Sequence, residues 1–302
     1  MKSIIEILDL KGKRVLVRVD WNVPIENGEV VDNFRIKKSM STLEYLRDKE
    51  ARVTIATHVT HGSIESLQKF VPAGMTLLPN LRDHPGEEAN SPEFAKELAG
   101  QADIYVNEAF SESHREYTSI VGIPKLLPSF IGLQFEKEIE ALSQAFNPPR
   151  PFLLIIGGAK PETKLPLIEK LLSIADTIFV GGTLAKDIIN KNPKIILPLG
   201  DLLALDADEN VIRQLEEQIK NSSFILWNGP LGNYEKGFKK GTLTLAKILS
   251  TCSKQVIIGG GDTLATIREL DIYDKFSFVS TAGGAMLQFL ATGTLPGIEA
   301  LK

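Results

Sequence analysis

Apolar residues in this chain gather into short unbroken runs, each closed by a polar or glycine-rich turn. In the second half these are FLLIIGGAK (152–160), TIFVGGT (177–183), FILWNGPLG (224–232), QVIIGGGDT (255–263) and FSFVSTAGGA (276–285). Runs without polar alternation predict strands buried on both faces of a parallel sheet. The first half follows the same pattern with RVLVRVDWNVP (14–24), RVTIATHVTHG (52–62), MTLLPNLR (75–82) and DIYVNEAF (103–110). Helical patterns separate these strands, as in IKKSMSTLEYLRDK (36–49) and SPEFAKELAG (91–100), where Ser91 is the expected N-cap and Pro92 the first helical residue. Alternating strands and helices predict an α/β fold with doubly wound parallel sheets. QFEKEIEALSQAF (134–146) sets Phe135, Ile139, Leu142 and Phe146 on one helical face before NPPRP stops it. This helix is the expected connector between two domains, giving 1–133, a connector over 134–147, 148–287, and a tail, 288–302, that packs back on the first domain.

Composition narrows the class. The chain has 302 residues, 43% hydrophobic and 24% charged, with a net charge of −4. No global basic field invites nucleic acid. No apolar stretch is long enough to span a bilayer, and the N-terminus does not read as a signal peptide. Cys252 is the single cysteine, so no intramolecular disulfide or cysteine-rich metal site is possible, which fits a cytoplasmic protein.

The turns carry the candidate chemistry. In open parallel sheets ligands bind beyond the carboxyl ends of the strands, where glycine lets backbone N–H groups approach phosphate oxygens. Neither G-x-x-x-x-G-K-[ST] nor a G-x-G-x-x-G opening a helix after the first strand is present. A P-loop NTPase and an ordinary dinucleotide-dependent oxidoreductase are thereby disfavoured. GGAKPETK instead puts Lys160 and Lys164 four residues apart at a helix start, which suits a polyphosphate, or else forms a solvated surface pair. GGGDT places Asp262 and Thr263 where a carboxylate holds Mg²⁺ and a backbone faces an anion, or where Asp is a plain helix cap. WNGPLGNYE offers Asn228, Pro230 and Glu235 as phosphate donor, apolar contact and ribose acceptor, or only turn chemistry. In the first half Arg35, Arg82 and Arg115 lie near strand ends, Arg82 with no carboxylate at helical spacing to answer it, and guanidinium forks match phosphate or carboxylate. His58 and His61 form H-x-x-H, but their place at a strand end without a third ligand argues against a metal.

Taken in order, VLVRVDWNVP, DNFRI, NLRDHPGEE, SPEFAKELAGQADIYVNEAFSESHRE, FEKEIEAL, RPFLLIIGGAKPETK, WNGPLGNYEKGF, GGGDT, DKFSFVSTAGGA and LPGIEAL resemble phosphoglycerate kinases over nearly the whole chain. The resemblance implies two Rossmann-like domains with a cleft between them, and reversible phosphoryl transfer between 1,3-bisphosphoglycerate with ADP and 3-phosphoglycerate with MgATP, by a monomer. The alternative it leaves is a family-like binding protein with little turnover. It implies that Asp20, Asn22, Arg35, His58, His61, Arg82 and Arg115 hold the triose phosphate in the first domain. Lys164, Gly181, Gly182, Asn228, Pro230, Glu235, Gly260, Gly261, Asp262 and Thr263 would hold the nucleotide in the second, with Asp262 on Mg²⁺. Arg35 and Lys160 would meet the transferring phosphoryl group, and Gly283 and Gly284 would open a helix aimed at it. The chain departs from the family pattern at several points. HVTHGS puts His61 where the family has arginine and Ser63 where it has proline. One block is missing between Gly62 and the NLR motif, and another between Gly182 and Trp227, including an Asp-Ile-Gly-Pro stretch. The three-glycine turn after TIFV is reduced to GGT, and Ala282 replaces a glycine.

Overall fold

A computed structural model describes every residue except Asn190. Contacts divide the chain into two compact units, Met1–Glu140 with Thr294–Lys302, and Ala141–Gly293.

The first unit is built on β1 (Arg14–Arg18), α1 (Phe34–Asp48), β4 (Arg52–Ala56), β5 (Thr76–Leu77), α2 (Pro85–Glu88), α3 (Pro92–Ala99), β6 (Ile104–Asn107), β7 (Ser129–Ile131) and α4 (Leu133–Ser143), closed by α10 (Pro296–Glu299) from the tail. A separate antiparallel hairpin pairs β2 (Ile25–Glu26) with β3 (Glu29–Val30). The five-stranded sheet runs β5-β4-β1-β6-β7 and is parallel throughout. Val15, Val17, Val19, Trp21, Ile55 and Val106 are among its buried core residues. Ser91 does cap α3, accepting a bond from the Phe94 N–H.

The second unit holds β8 (Phe152–Ile156), α5 (Pro161–Leu171), β9 (Thr177–Val180), β10 (Ile195–Ile196), α6 (Glu209–Asn221), β11 (Phe224–Asn228), α7 (Lys240–Thr251), β12 (Gln255–Gly259), α8 (Gly261–Glu269), β13 (Phe278–Val279) and α9 (Gly284–Thr292). Its sheet is also all parallel, in the order β10-β9-β8-β11-β12-β13. Counted from β8 this is 3-2-1-4-5-6, the doubly wound order whose ligand crevice lies where the winding reverses, between β8 and β11. Every residue of β8 and β11 is buried, as unbroken apolar runs require. Among the described residues no helix is long and apolar enough to cross a membrane.

The expected connector is shorter than its apolar spacing suggested. α4 ends at Ser143, and Phe146 lies in a following 3₁₀ turn, 40% exposed, with its ring edge-on to Phe289 at 5.6 Å. Phe146 therefore leaves the face that Phe135 and Leu142 bury. The start of α4 is fixed by a buried carboxylate. Glu108 accepts the N–H groups of Gln134 and Phe135, each at 3.0 Å, and the Thr42 hydroxyl, which itself accepts the Leu133 N–H at 2.8 Å. These bonds satisfy donors that a helix N-terminus leaves orphaned. Burial pushes Glu108 up to about 7 against the pull of those donors. A carboxyl whose folded pKa lies above its unfolded value keeps a proton that the unfolded chain has lost, so its support fades as pH rises from about 4.5 toward 7. Glu108→Ala strands three buried donors and is expected to cost ~3 kcal/mol. Denaturant titration of the first-unit transition should show a deficit that is largest near pH 5 and smaller at pH 8. A deficit that is constant, or grows with pH, would contradict this assignment.

Candidate active site

In the first unit the loops beyond β1, β4 and β6 converge on Asp20. One of its carboxylate oxygens accepts Arg35 Nη1 at 2.7 Å and the Ser111 hydroxyl, and the other accepts the Asn22 N–H at 3.1 Å. Ser111 follows β6 and Arg35 opens α1, so Asp20 ties together the two strands flanking the reversal of this sheet. Burial acts to raise the Asp20 pKa, but Arg35 leads a set of partners that more than offset it and hold the carboxyl below its usual range. Arg35 uses only Nη1, on Asp20 and more distantly on the Asn22 carbonyl, while Nε and Nη2 have no partner among the described residues. That guanidinium edge is open to an anion.

Beneath it lies a charge that the sequence pattern hides. Arg18 sits fully buried in β1, donating Nε to the Ser119 hydroxyl at 2.8 Å, Nη1 to the Val19 carbonyl, and placing Nη2 3.1 Å from His58 Nδ1. Ser119 donates its hydroxyl to buried Glu87, which balances the arginine at one remove. Burial and then Arg18 drive the His58 pKa down to about 3. His58 is thus a neutral ring, and with Arg18 donating to Nδ1 its proton sits on Nε2. It offers a ligand a hydrogen bond and no charge.

The remaining first-unit residues differ in how they are engaged. Asn22 links the loops beyond β1 and β4, accepting the Thr60 N–H and donating to its hydroxyl, each at 3.0 Å. Arg82 is answered by carboxylates after all. Nη1 donates to Glu88 and, at 3.3 Å, to Tyr117 Oη, and Nη2 donates to Glu112 at 3.4 Å. Helical spacing could not reveal these partners, six and thirty residues downstream, because the loops beyond β5 and β6 bring them in. Arg115 and His61 are exposed, with no side-chain partner among the described residues. Sequence reasoning missed Arg18, Ser111, Glu112 and Tyr117. The arginine within VLVRV was the one usable signal, a charge inside a strand otherwise fit only for the core.

In the second unit the glycine turns beyond β8, β9 and β11 form a single knot at the reversal of the sheet. Gly157 N–H donates to Asn228 O at 2.9 Å, and Gly158 N–H donates to Pro230 O at 2.7 Å. A Cβ on Gly157 would lie 2.0 Å from the Pro230 carbonyl oxygen. Gly182, with φ of +64°, brings its Cα side within reach of Gly158, where a Cβ would lie 2.7 Å from the amide nitrogen. Lys164 reaches back to donate Nζ to Gly157 O at 2.6 Å. Burial lowers its pKa, Lys160 adds to the effect, and Asp262 opposes it. Lys160 itself is exposed at φ +69°, a left-handed backbone that a residue with a side chain rarely adopts, and its ammonium has no partner among the described residues.

Three helices start without a side-chain cap at the turns beyond β8, β12 and β13. They are α5 after Lys160, α8 after Gly260 and α9 after Gly283, so their first N–H groups and dipoles are available to an anion. Pro161 is the first residue of α5, as expected. Thr263 accepts the Gly229 N–H at 2.9 Å, and Asn228 donates to Gly283 O at 3.3 Å, so both side chains brace the turns. Asn228, Pro230 and Gly181 are buried, whereas Gly261 and Glu235 are exposed. Burial and then Glu235 raise the pKa of Asp262, with Lys164 and Lys160 opposing. Among the described residues no three His, Cys, Asp or Glu side chains are grouped to hold a metal. One carboxylate beside two lysines suits an Mg²⁺ that arrives on phosphate oxygens and takes one protein ligand. Gly181 and Gly182 also line a narrow slot with Leu202, Ala204, Asp206 and Leu231, whose free space of about 20 Å³ is that of one water.

Comparison with known proteins bears on both units. A sequence model of the family described as Phosphoglycerate kinase matches residues 5–71, 60–196 and 186–293. The three matches overlap at 60–71 and 186–196, each overlap falling on one of the two stretches where a block is missing. The phosphoglycerate kinase of Finegoldia magna is 34% identical over 390 residues, spanning 99% of each chain. That span exceeds the 302 residues present here, so the relative carries internal segments that this chain lacks. Among solved structures, the phosphoglycerate kinase of Pyrococcus horikoshii superposes with a TM-score of 0.84 at 26% identity, covering 100% of this chain and 98% of that one. That of Coxiella burnetii gives 0.80 at 28%, covering 99% and 98%. With family matches over both units and a full-length relative at this identity, the chain belongs to the phosphoglycerate kinase family.

Proposed function

We propose that the protein catalyses reversible phosphoryl transfer from the acyl phosphate of 1,3-bisphosphoglycerate to ADP, giving 3-phosphoglycerate and ATP. The observation that carries this reading is the set of three uncapped helix starts at the carboxyl ends of strands in a doubly wound sheet, α5 with Lys160 and Lys164 beyond β8 at the reversal point, α8 beyond β12 and α9 beyond β13. Those N–H groups and ammoniums match a polyphosphate, while the open edge of Arg35 beside Asp20 matches the anionic triose.

In the forward direction an oxygen of the ADP β-phosphate attacks the acyl phosphorus. The new P–O bond forms as the bond to the acyl oxygen breaks, and the 3-phosphoglycerate carboxylate leaves with the electron pair. No side-chain nucleophile is required, and catalysis consists of positioning and charge stabilisation. Lys160, with its free ammonium, and the unpaired edge of Arg35 supply cations for the charge on the transferring group. Lys164 and the α5 and α8 starts hold the remaining phosphates, and Gly283 and Gly284 bring the α9 N–H groups. Asp262 would hold the Mg²⁺ that accompanies the nucleotide, and the ion would supply charge neutralisation to the phosphates. Asn22, His58, His61, Arg82 and Arg115 complete the triose-phosphate set. Gly181 and Gly182, at the turn beyond β9, complete the proposed nucleotide set.

We take the protein to be cytoplasmic and to act on small molecules rather than on nucleic acid or membranes; its net charge of −4 offers no basic field to a polyanion. We take it to be a monomer, which sedimentation velocity tests. Initial rates with MgATP and 3-phosphoglycerate, read through reduction of the acyl phosphate by glyceraldehyde-3-phosphate dehydrogenase and NADH, test the activity. Signal should need both substrates and Mg²⁺. Binding of both substrates without turnover would overturn the kinase reading.

His61 gives a separate expectation. An arginine there carries full charge at any working pH and can fork onto phosphate. At pH 8, His61→Arg should lower KM for 3-phosphoglycerate about 3-fold or more while leaving KM for ATP unchanged. An unchanged KM for 3-phosphoglycerate would remove His61 from that site.

A further inference from the structure

The Glu112 carboxylate lies at the point where Arg82 and His58 converge. Its Oε2 is 3.4 Å from Arg82 Nη2 and 3.8 Å from His58 Nε2, and its side chain is 16% exposed. The other end of the Arg82 guanidinium is already committed to Glu88 and Tyr117, with the cation also 4.8 Å above the Tyr117 ring, and Nε is buried without a partner. Nη2 is therefore the donor that Arg82 can turn to a ligand, and Glu112 holds it. Asp20, Arg18 and Arg35 also act on this carboxylate.

We propose that Glu112 sets the affinity of the triose-phosphate site, its carboxylate standing in the anion position between Arg82 and His58 so that a substrate phosphate binds only by displacing it. The proposal rests on the assignment of the first unit to the triose phosphate. A phosphate and a carboxylate cannot share that position cheaply, because like charges brought together in a shielded site repel strongly. The backbone around Glu112 is pinned. The Ser111 hydroxyl donates to Asp20, and the Ser113 hydroxyl donates to Ala109 O at 2.9 Å while accepting from Asn107 at 3.2 Å. Gly297 of the tail donates its N–H to Ser113 O at 2.8 Å. Displacement is then a rotation of the Glu112 side chain rather than a movement of the loop.

A merely structural role has the opposite sign. If Glu112 only steadied Arg82, its removal would loosen the arginine and weaken phosphate binding. Calorimetric titration with 3-phosphoglycerate, and with MgADP as control, separates the two. Glu112→Gln keeps the shape and removes the charge, and Glu112→Ser is a second variant should the first fold poorly. Both are expected to bind 3-phosphoglycerate at least ~10-fold more tightly than the parent, with MgADP affinity unchanged. Glu88→Gln, which removes the more exposed carboxylate on the same arginine, should stay within ~2-fold of the parent. Equal or weaker binding by the Glu112 variants, or an equal gain from Glu88→Gln, would overturn the proposal alone. If neither parent nor variants bind 3-phosphoglycerate while all bind MgADP, the assignment of the first unit falls and the proposal with it.

Discussion

Lys160→Ala is expected to lower kcat at least ~100-fold while changing KM for the nucleotide less than ~3-fold. Loss of one preorganised charge on the transition state is worth about 2.7 kcal/mol or more. Two features make this substitution a clean probe. The Lys160 ammonium has no partner among the described residues, so removing it breaks no structural bond. Its backbone is left-handed, at φ +69°, and alanine meets the same local penalty there as lysine does, so fold stability should change little. Nucleotide binding retains Lys164 and the uncapped helix starts. Steady-state kinetics with calorimetry of MgADP decides the matter, and a tenfold or smaller loss in kcat would remove Lys160 from the chemistry.

Gly157→Ala should have the largest structural effect in the second unit. The added methyl would sit 2.0 Å from the Pro230 carbonyl oxygen, 2.8 Å from its carbonyl carbon and 2.9 Å from Gly229 O. All three are backbone atoms, so no rotamer change relieves the overlap. The turns beyond β8 and β11 must separate, which pulls Asn228 O from the Gly157 amide and Pro230 O from the Gly158 amide. Overpacking of this kind costs about 3 kcal/mol or more. Because the same turns form the proposed phosphate cradle, MgADP affinity should fall at least ~100-fold while 3-phosphoglycerate affinity holds. Denaturation and calorimetry measure the two effects, and MgADP affinity within threefold of the parent would contradict the role given to the knot.

The contrast between the units shows which features a sequence displays. FLLII and FILWN were legible because burial on both faces leaves no polar alternation to confuse them. β7 and β10, edge strands of three and two residues, were not singled out, since neither is followed by a polar or glycine-rich turn carrying candidate chemistry as β5 and β13 are. The β2-β3 hairpin was missed although its turn residues Asn27 and Gly28, at φ 51° and 78°, are the dipeptide that such turns favour. Site residues on the glycine turns were visible because the turn and the chemistry share one stretch of chain. The first-unit site is assembled instead from loops far apart in sequence. Arg35 finds Asp20 fifteen residues earlier, and Arg82 finds Glu112 thirty residues later. Only the strand order, which sets β6 beside β1, makes Ser111 and Glu112 neighbours of that cluster. His58 was readable as a residue but not as a charge, since burial and Arg18 decide that it is neutral.

Direct transfer between two bound substrates is tested by a rapid-quench single turnover with γ-labelled ATP, Mg²⁺, 3-phosphoglycerate and a stoichiometric amount of protein. The expected label appears on a hydroxylamine-sensitive acyl phosphate at the rate set by the wild-type site, far more slowly with Lys160→Ala from the same preparation, and never on the protein. Label that stays on ATP under confirmed double occupancy, or that becomes covalently attached to the chain, would contradict it.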